Sequence, residues 1–450
     1  MRYVLRNEFF GGIVYDRVER DYLHLDHLAV RLLKQPSKPL SGAELRRFDA
    51  DRAEAGEVLA DLRDRQLPGN VEVLGNAAIP GMLSAPLRIF LEITYRCPEK
   101  CAHCYTESGD KRPNELSLAN KLDIVDQMAQ MGSYRLSIAG GEPLVDDDFF
   151  PVVERAVQHH IDVSFSTSGI PVTEKMARRL AELDIRTVNI SLDGGDQQSY
   201  EQVRGEGRFK HMLRGVRNLR RHYPGKIAAK CTLMTSNIRN LESIIRLAEE
   251  LEFDVVKFNC VREAGRAIQQ SSLVPTQDEY IESMKILSDF YNNKKSKIKM
   301  VLPVNPYQKL GGDAPDFIGE LGFGCYAGKE SFCIRASGEI QPCTSFGAHL
   351  YVDGNAKTRA LEDAWLNGGA IRLFRNLEGS SACQTCPSYS GCRGGCYLRS
   401  FTAYGDINAT DPYCYERRNE PMTEATRGAD RPTEVAEQPQ SRYGHEALSP

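Results

Sequence analysis

From Leu87 to about Pro303 the chain alternates short β-type runs with amphipathic helical stretches, and few architectures satisfy that pattern. The spacing predicts strands at Leu87–Thr94, Arg135–Ile138, Asp162–Ser166, Thr187–Leu192, Ile227–Thr232 and Val255–Asn259. Helices are expected at about 118–131, 149–159, 173–184, 208–222 and 240–252, with another near 277–293. Strands that return after a helical crossover run parallel. The expected fold class is α/β, with a partial (β/α)6 TIM-like barrel over residues 85–305 whose site lies at the C-terminal ends of the strands.

At the first of those ends stands Cys97-Pro-Glu-Lys-Cys101-Ala-His-Cys104. Three thiolates at this spacing can hold three irons of a [4Fe–4S] cube from one loop, leaving the fourth iron for a small molecule. With 13 Cys in 450 residues, a chance C-x3-C-x2-C is expected on the order of once in a hundred such chains. Zinc, with His103 as a fourth ligand, is the competing reading.

The formal net charge of −4 gives no global field that would favour nucleic acid or an anionic membrane. No run approaches the roughly 20 apolar residues of a membrane span, and the first residues lack the apolar core of a signal peptide. A cytoplasmic location is the expectation, and in that reducing compartment clustered cysteines point to metal or cluster ligation.

Residues 1–75 read as a separate unit, with strands at Tyr3-Val-Leu5, Gly12–Tyr15 and Tyr22–Leu25 and helices near Asp26–Lys34, Ser41–Phe48 and Ala53–Arg65. This is the outline of a winged helix. Residues 320–418 hold eight Cys, few regular elements and scattered Gly and Pro, a region that metal–ligand bonds can order in place of a large core. The polar, Pro-bearing tail 419–450 reads as disordered.

Taken with the triplet, the motifs after the strands make the chain resemble the radical S-adenosylmethionine (SAM) enzymes. That resemblance implies that SAM chelates the open iron and is cleaved by an electron from the cluster to a 5′-deoxyadenosyl radical. In Gly140-Gly141-Glu142-Pro143 the glycines allow backbone to approach SAM closely and Glu142 can accept from its ammonium, while Ser166 and Ser168 offer hydroxyls of the kind that bind a ribose or cap a helix. Ser191 and Asp193 of the Ser-Leu-Asp-Gly turn are both expected among the SAM-binding residues, where the resemblance puts Ser191 on SAM; Arg204 is placed near the SAM carboxylate and His103 near the adenine. Cys231 reads as a core residue. Cys260 ends the sixth strand, where packing and a cavity-facing role both remain open.

The array Cys325, Gly338-x4-Cys343, Cys383-x2-Cys386-x5-Cys392-x3-Cys396 and Cys414 resembles the SPASM extension, which carries two auxiliary [4Fe–4S] clusters. The resemblance implies crossed ligation, with Cys325, Cys343 and Cys396 on one cluster and Cys383, Cys386, Cys392 and Cys414 on the other. Spacing alone would favour sequential grouping. Cys333 is available as a fourth ligand of the first auxiliary cluster. Sulfatase-maturing SPASM enzymes carry a catalytic Asp after the Gly-x4-Cys element; here Thr344 occupies that place, which disfavours their chemistry and leaves the catalytic residue unnamed.

The N-terminal outline resembles the small winged-helix domain that binds leader peptides of ribosomally made natural products, by adding a strand to a sheet edge. The expected function is a peptide maturase with three [4Fe–4S] clusters and SAM, acting on a precursor peptide and fed by a reductant such as flavodoxin or ferredoxin. Tetrapyrrole side-chain modification, and a non-catalytic Fe–S electron carrier, are the alternatives.

Overall fold

The computed structural model describes residues 1–293, 295–302, 324–347, 349–414 and 416. The tail 419–450, expected to be disordered, lies outside the described residues.

Strands β1 (Tyr3–Glu8), β2 (Gly11–Asp16) and β3 (Asp21–Asp26) form an antiparallel meander. Helices α1 (His27–Lys34), α2 (Gly42–Arg47) and α3 (Arg52–Asp64) follow, each begun by a side-chain cap from Asp26, Ser41 or Asp51 that satisfies amides of the first turn. The chain returns in β4 (Val71–Val73), which sequence reading did not find and which pairs parallel with β1 to give the order β3-β2-β1-β4. Alternation along the strands splits the sheet into two apolar faces. Tyr3, Leu5, Val14 and Leu25 pack with α1 and α3, whereas Val4, Ile13 and Tyr15 join the core of the next unit.

The junction is also polar. Arg6 pairs with Glu8 at 2.5 Å, both buried, and donates to the Gly132 carbonyl at 2.8 Å. The Tyr22 hydroxyl donates to the Leu87 carbonyl and accepts from the Tyr134 amide, each at 2.9 Å. Close by, burial and the Arg6 charge push the His24 imidazole down to about 4. Between about pH 6.5 and about 4 the unfolded chain therefore binds the proton that the folded one refuses, so stability falls as pH falls through that window. Denaturant titrations across it should show a loss approaching about 3 kcal/mol in the parent, and a flatter profile in His24→Phe.

The main sheet is built from β5 (Arg88–Glu92), β6 (Arg135–Ala139), β7 (Asp162–Thr167), β8 (Ile185–Ser191), β9 (Lys226–Leu233) and β10 (Val255–Cys260), parallel and in chain order. Their crossovers are α4 (Leu118–Met131), α5 (Phe149–Gln158), α6 (Glu174–Ala181), α7 (Gln197–Arg204), α8 (Arg208–His222) and α9 (Leu241–Glu250); α10 (Gln277–Asn292) leads to the edge strand β11 (Lys299–Val301). Of these, α7 and β11 were not anticipated. Ile89, Leu91, Leu136, Ile138, Val163, Phe165, Val188, Ile190, Ile227, Ala229, Val256 and Phe258 belong to one buried core. The intervening positions are mostly polar, among them Glu92, Ser166, Ser191, Lys230, Thr232 and Asn259. A strand face of that composition does not close into a dry barrel core, and it lines a cavity instead.

At the other edge, β12 (Ser331–Ile334) pairs parallel with β5 and antiparallel with β13 (Ile340–Gln341). The C-terminal region is thus tied into the main sheet and holds more regular structure than its sequence suggested. Short helices follow at Leu361–Asn367, Gly369–Arg375, Ser381–Gln384, Tyr389–Cys392 and Tyr397–Tyr404. Trp365, fully buried, donates its indole N–H to the Leu83 carbonyl at 2.8 Å. Phe346, Phe374, Tyr397 and Leu398 form a separate small core beside Cys325, Cys343 and Cys396.

Candidate active site

The loop after β5 carries Cys97, Cys101 and Cys104 to the C-terminal end of the parallel strands, where all three thiols line one cavity. The same cavity is lined by His103, Gly141, Glu142, Ser166, Ser168, Ser191 and Arg204. Of the positions that the resemblance gave to SAM, only Asp193 is absent from its wall.

The Gly-Gly-Glu segment sits against the backbone that enters the cysteine loop. Gly141 donates to the Thr94 carbonyl at 2.7 Å and Glu142 to the Arg96 carbonyl at 2.9 Å. A Cβ on Gly141 would lie 2.2 Å from the Arg96 carbonyl oxygen, and Gly140 holds φ at +118° with a virtual Cβ 2.5 Å from the Thr94 oxygen. The close approach that these glycines permit is therefore to the cysteine loop as well as to the cavity.

Glu142 is buried, and burial raises its carboxyl above the ordinary range against the pull of Ser168 and Thr167. Its Oε2 accepts from the amide and the hydroxyl of Ser168, both at 2.8 Å, while Oε1 accepts from the Leu144 amide at 3.2 Å. Ser168 thus spends its hydroxyl on Glu142. Oε1 keeps a lone pair for a further donor. Ser166 and Ser191 face the cavity with hydroxyls that find no protein partner among the described residues.

Arg204, at the end of α7, reaches back to Asp193 with Nε and Nη2 each 2.6 Å from Oδ2. The other oxygen of Asp193 accepts from the Thr232 amide at 2.7 Å. Burial alone would raise the Asp193 carboxyl, but Arg204, His103 and that amide outweigh it and hold it below the ordinary range. The pair also keeps the guanidinium charged, because burial is overcome by Asp193. Arg204 Nη1 lies 3.7 Å from the Cys101 sulfur and 3.9 Å from Glu99, so a donor remains directed at the cavity. His103 is largely buried and, through burial and the Arg204 charge, pushed down to about 4, leaving a neutral ring whose Nε2 is 3.5 Å from Arg204 Nη2. Its Nδ1 has no partner among the described residues.

Sequence reading missed several wall residues. Glu99 is buried with Oε1 unpartnered among the described residues. Arg266 clamps the cysteine loop by donating to the carbonyls of Cys101 at 3.0 Å and Ser108 at 2.8 Å. Arg262 donates to the Thr344 hydroxyl at 2.7 Å and lies 4.7 Å over the Tyr105 ring. Lys230 is pushed down to about 8 by burial and then by Arg262 and Lys257. Lys230 and Thr232 flank the core residue Cys231, so the two-residue period of β9 was the available signal.

The downstream thiols fall into two further groups. Cys325, Cys343 and Cys396 line one cavity, and Cys383, Cys392 and Cys414 line another. The cavity walls divide these thiols along the lines of the crossed grouping rather than the sequential one. Cys386 is half-buried and is not on the wall of either cavity. Cys333 is fully buried within β12 and also lies off both walls. Cys231 is core, as expected, whereas Cys260 faces the cavity of the first triplet and that of Cys325.

The residues present fit a cluster and SAM. Burial raises the thiols of Cys97 to about 12 and Cys101 to about 11, so thiolates there call for the positive charge of bound iron. Among the described residues no three His, Cys, Asp or Glu side chains close on one point as a single ion requires. The three thiols share a wall instead, an arrangement suited to a cube that spreads its ligands over separate irons. Around them wait an acceptor on Glu142, free hydroxyls on Ser166 and Ser191, and a guanidinium donor on Arg204.

Comparison with known proteins agrees with this geometry. The radical SAM superfamily model matches residues 91–251, and the SPASM iron–sulfur cluster-binding domain model matches residues 325–387. Mycofactocin maturase MftC of Mycobacterium tuberculosis (strain ATCC 25618 / H37Rv) is 30% identical over 361 residues, covering 78% of this chain and 88% of its own. The Mycolicibacterium smegmatis maturase is 30% identical over 357 residues, with the same coverage of 78% and 88%. Among solved structures, Streptococcus suis SuiB bound to precursor peptide SuiA superposes with a TM-score of 0.68 at 18% identity, over 92% of this chain and 98% of that one. Native anSMEcpe with bound AdoMet gives 0.59 at 19% identity, over 73% and 94%.

Proposed function

We propose that this chain, which belongs to the radical SAM superfamily and carries a SPASM iron–sulfur domain, matures a ribosomally made precursor peptide by removing a hydrogen atom from one of its carbons. The observation that carries this reading is the adjacency of two cavities. That of Cys97, Cys101 and Cys104 and that of Cys325, Cys343 and Cys396 share Asn259, Cys260 and Arg262 as wall residues, leaving room for a substrate between two cluster sites. The family's cofactors are SAM and [4Fe–4S] clusters, three in all, and when bound they supply a 5′-deoxyadenosyl radical able to break an unactivated C–H bond.

The chain's own residues bind and orient. Cys97, Cys101 and Cys104 hold the first cluster. Glu142, fixed by Ser168, accepts from the SAM ammonium, Gly141 leaves space beside it, and Ser166 and Ser191 take hydroxyls of the ribose. Arg204 donates to the SAM carboxylate, and Asp193 is a positioning residue that aims its planar fork. His103, neutral and flat, stacks near the adenine. Cys325, Cys343 and Cys396 hold one auxiliary cluster; Cys383, Cys386, Cys392 and Cys414 hold the other.

The peptide reading draws on relatives named as maturases and on a similar structure bound to its precursor peptide, and it is favoured over tetrapyrrole modification and over a non-catalytic carrier. Residues 1–75 would capture the leader, with β3 as the outermost strand on one side of its sheet and so an edge to which a peptide strand can add. Residues 85–305 would act as the SAM barrel and 320–418 as the auxiliary-cluster domain. Among the described residues no helix is long and apolar enough to cross a membrane. We place the enzyme in the cytoplasm, reduced by a flavodoxin or ferredoxin. Anaerobic incubation with dithionite, SAM and the peptides encoded beside its gene tests the reading. A precursor losing the mass of two hydrogens supports it, and the absence of any mass change or leader binding removes it.

A further inference from the structure

The cluster site of Cys325, Cys343 and Cys396 has three thiols from the C-terminal region, whereas a fully ligated cube takes four. Two other cysteines are near. Cys333 sits in β12 opposite Phe90 of β5 and Gln341 of β13, fully buried and off the cavity wall. Cys260 ends β10, is half-buried, and lines the cavity itself together with Cys325, Cys343 and Cys396. It is also close enough to Cys396 and Arg399 for their charges to act on it, and the Tyr280 hydroxyl is hydrogen-bonded to it.

We infer that Cys260, supplied by the last full strand of the barrel, is the fourth protein ligand of the auxiliary cluster held by Cys325, Cys343 and Cys396. The chemistry of the surroundings suits a ligated thiolate. Arg399 offers positive charge at the wall, held there by Asp411 through Nε at 2.9 Å, and Tyr280 can donate to sulfur, as partners beyond the ligands do at cluster sites. The consequence is structural and functional together. A ligand on a barrel strand fixes the cluster to the wall that both cavities share, and it closes the iron that a substrate sulfur would otherwise occupy. The inference rests on the auxiliary-cluster reading given above.

The test uses the full chain with Cys97, Cys101 and Cys104 replaced by Ala, which removes the one cluster expected to have an open iron. Reconstituted anaerobically, this parent should hold about eight iron per chain and, on mild oxidation, show no [3Fe–4S] signal in electron paramagnetic resonance. Adding Cys260→Ala should make that signal appear and make the spectrum of the reduced protein shift on addition of imidazole. Adding Cys333→Ala should leave both unchanged. Unaltered spectra in the Cys260→Ala protein, or the same changes produced by Cys333→Ala in its place, overturn the assignment. A parent protein that holds zinc or no iron overturns the auxiliary-cluster reading itself, and the assignment with it.

Discussion

Replacing Cys97, Cys101 and Cys104 together by Ala should abolish reductive SAM cleavage, bringing 5′-deoxyadenosine to the level of a protein-free control, while about eight of about twelve irons per chain remain. The reason is positional. These three thiols share one loop and one cavity wall, and Arg266 ties that loop through the carbonyls of Cys101 and Ser108. The other thiol groups line separate cavities and cannot substitute for them. Chromatographic detection of the nucleoside together with an iron assay checks both halves. Persistent cleavage would place the reactive centre elsewhere, and loss of all iron would make the loop a folding determinant for the whole chain.

The second large effect is expected at Asp193. It is fully buried, and its carboxylate answers Arg204 on one side and the Thr232 amide on the other. Asp193→Ala removes the nearest partner of a largely buried guanidinium and leaves it only Glu99, 3.9 Å away, which costs more than the net worth of the pair. A loss of about 2–3 kcal/mol in urea unfolding is expected, below the full penalty of an uncompensated buried charge because Glu99 and the cavity still offset part of it. SAM affinity should fall as well, since the fork is no longer aimed. Arg204→Lys separates the two consequences: a charge stays beside Asp193, so stability should change less, but the planar bidentate geometry is gone and SAM affinity still drops. Equal stability in the parent and Asp193→Ala would show that the pair is not the anchor described here.

Much of this architecture was legible because it rests on local pattern. The six principal strands and their flanking helices follow the periodicity of apolar residues, as at β9, where Ile227, Ala229 and Cys231 are buried in the core. What escaped had no such local signal. Helix α7 buries only Tyr200 and Val203, so it carries no apolar stripe, and its start is announced by the Asp196–Ser199 capping box instead. Strands β4 and β12 are short, and each pairs parallel with a strand distant in sequence, which gives the sequence no turn to mark the pairing.

The site divides in the same way. The cysteine loop and the Gly-Gly-Glu-Pro turn were readable as motifs. Their interactions were not: the Glu142–Ser168 contact joins the ends of two strands, the Arg204–Asp193 contact folds the end of α7 back onto the end of β8, and Lys230, Arg262 and Arg266 matter by the direction they face. Asp193 shows the difference most plainly, since its place in a turn suggested contact with SAM, whereas its carboxylate is occupied by protein groups. The crossed grouping of downstream thiols also needed three dimensions, because Cys396 lies ten residues from Cys386 in sequence yet lines the cavity of Cys325 and Cys343.

The most direct measurement follows the hydrogen atom. With dithionite, SAM and a precursor peptide deuterated at its carbon-bound positions, mass spectrometry of the 5′-deoxyadenosine should find one deuterium gained, in step with conversion of the peptide. Deoxyadenosine that forms without deuterium, from a peptide returned unchanged, would contradict peptide maturation by hydrogen abstraction.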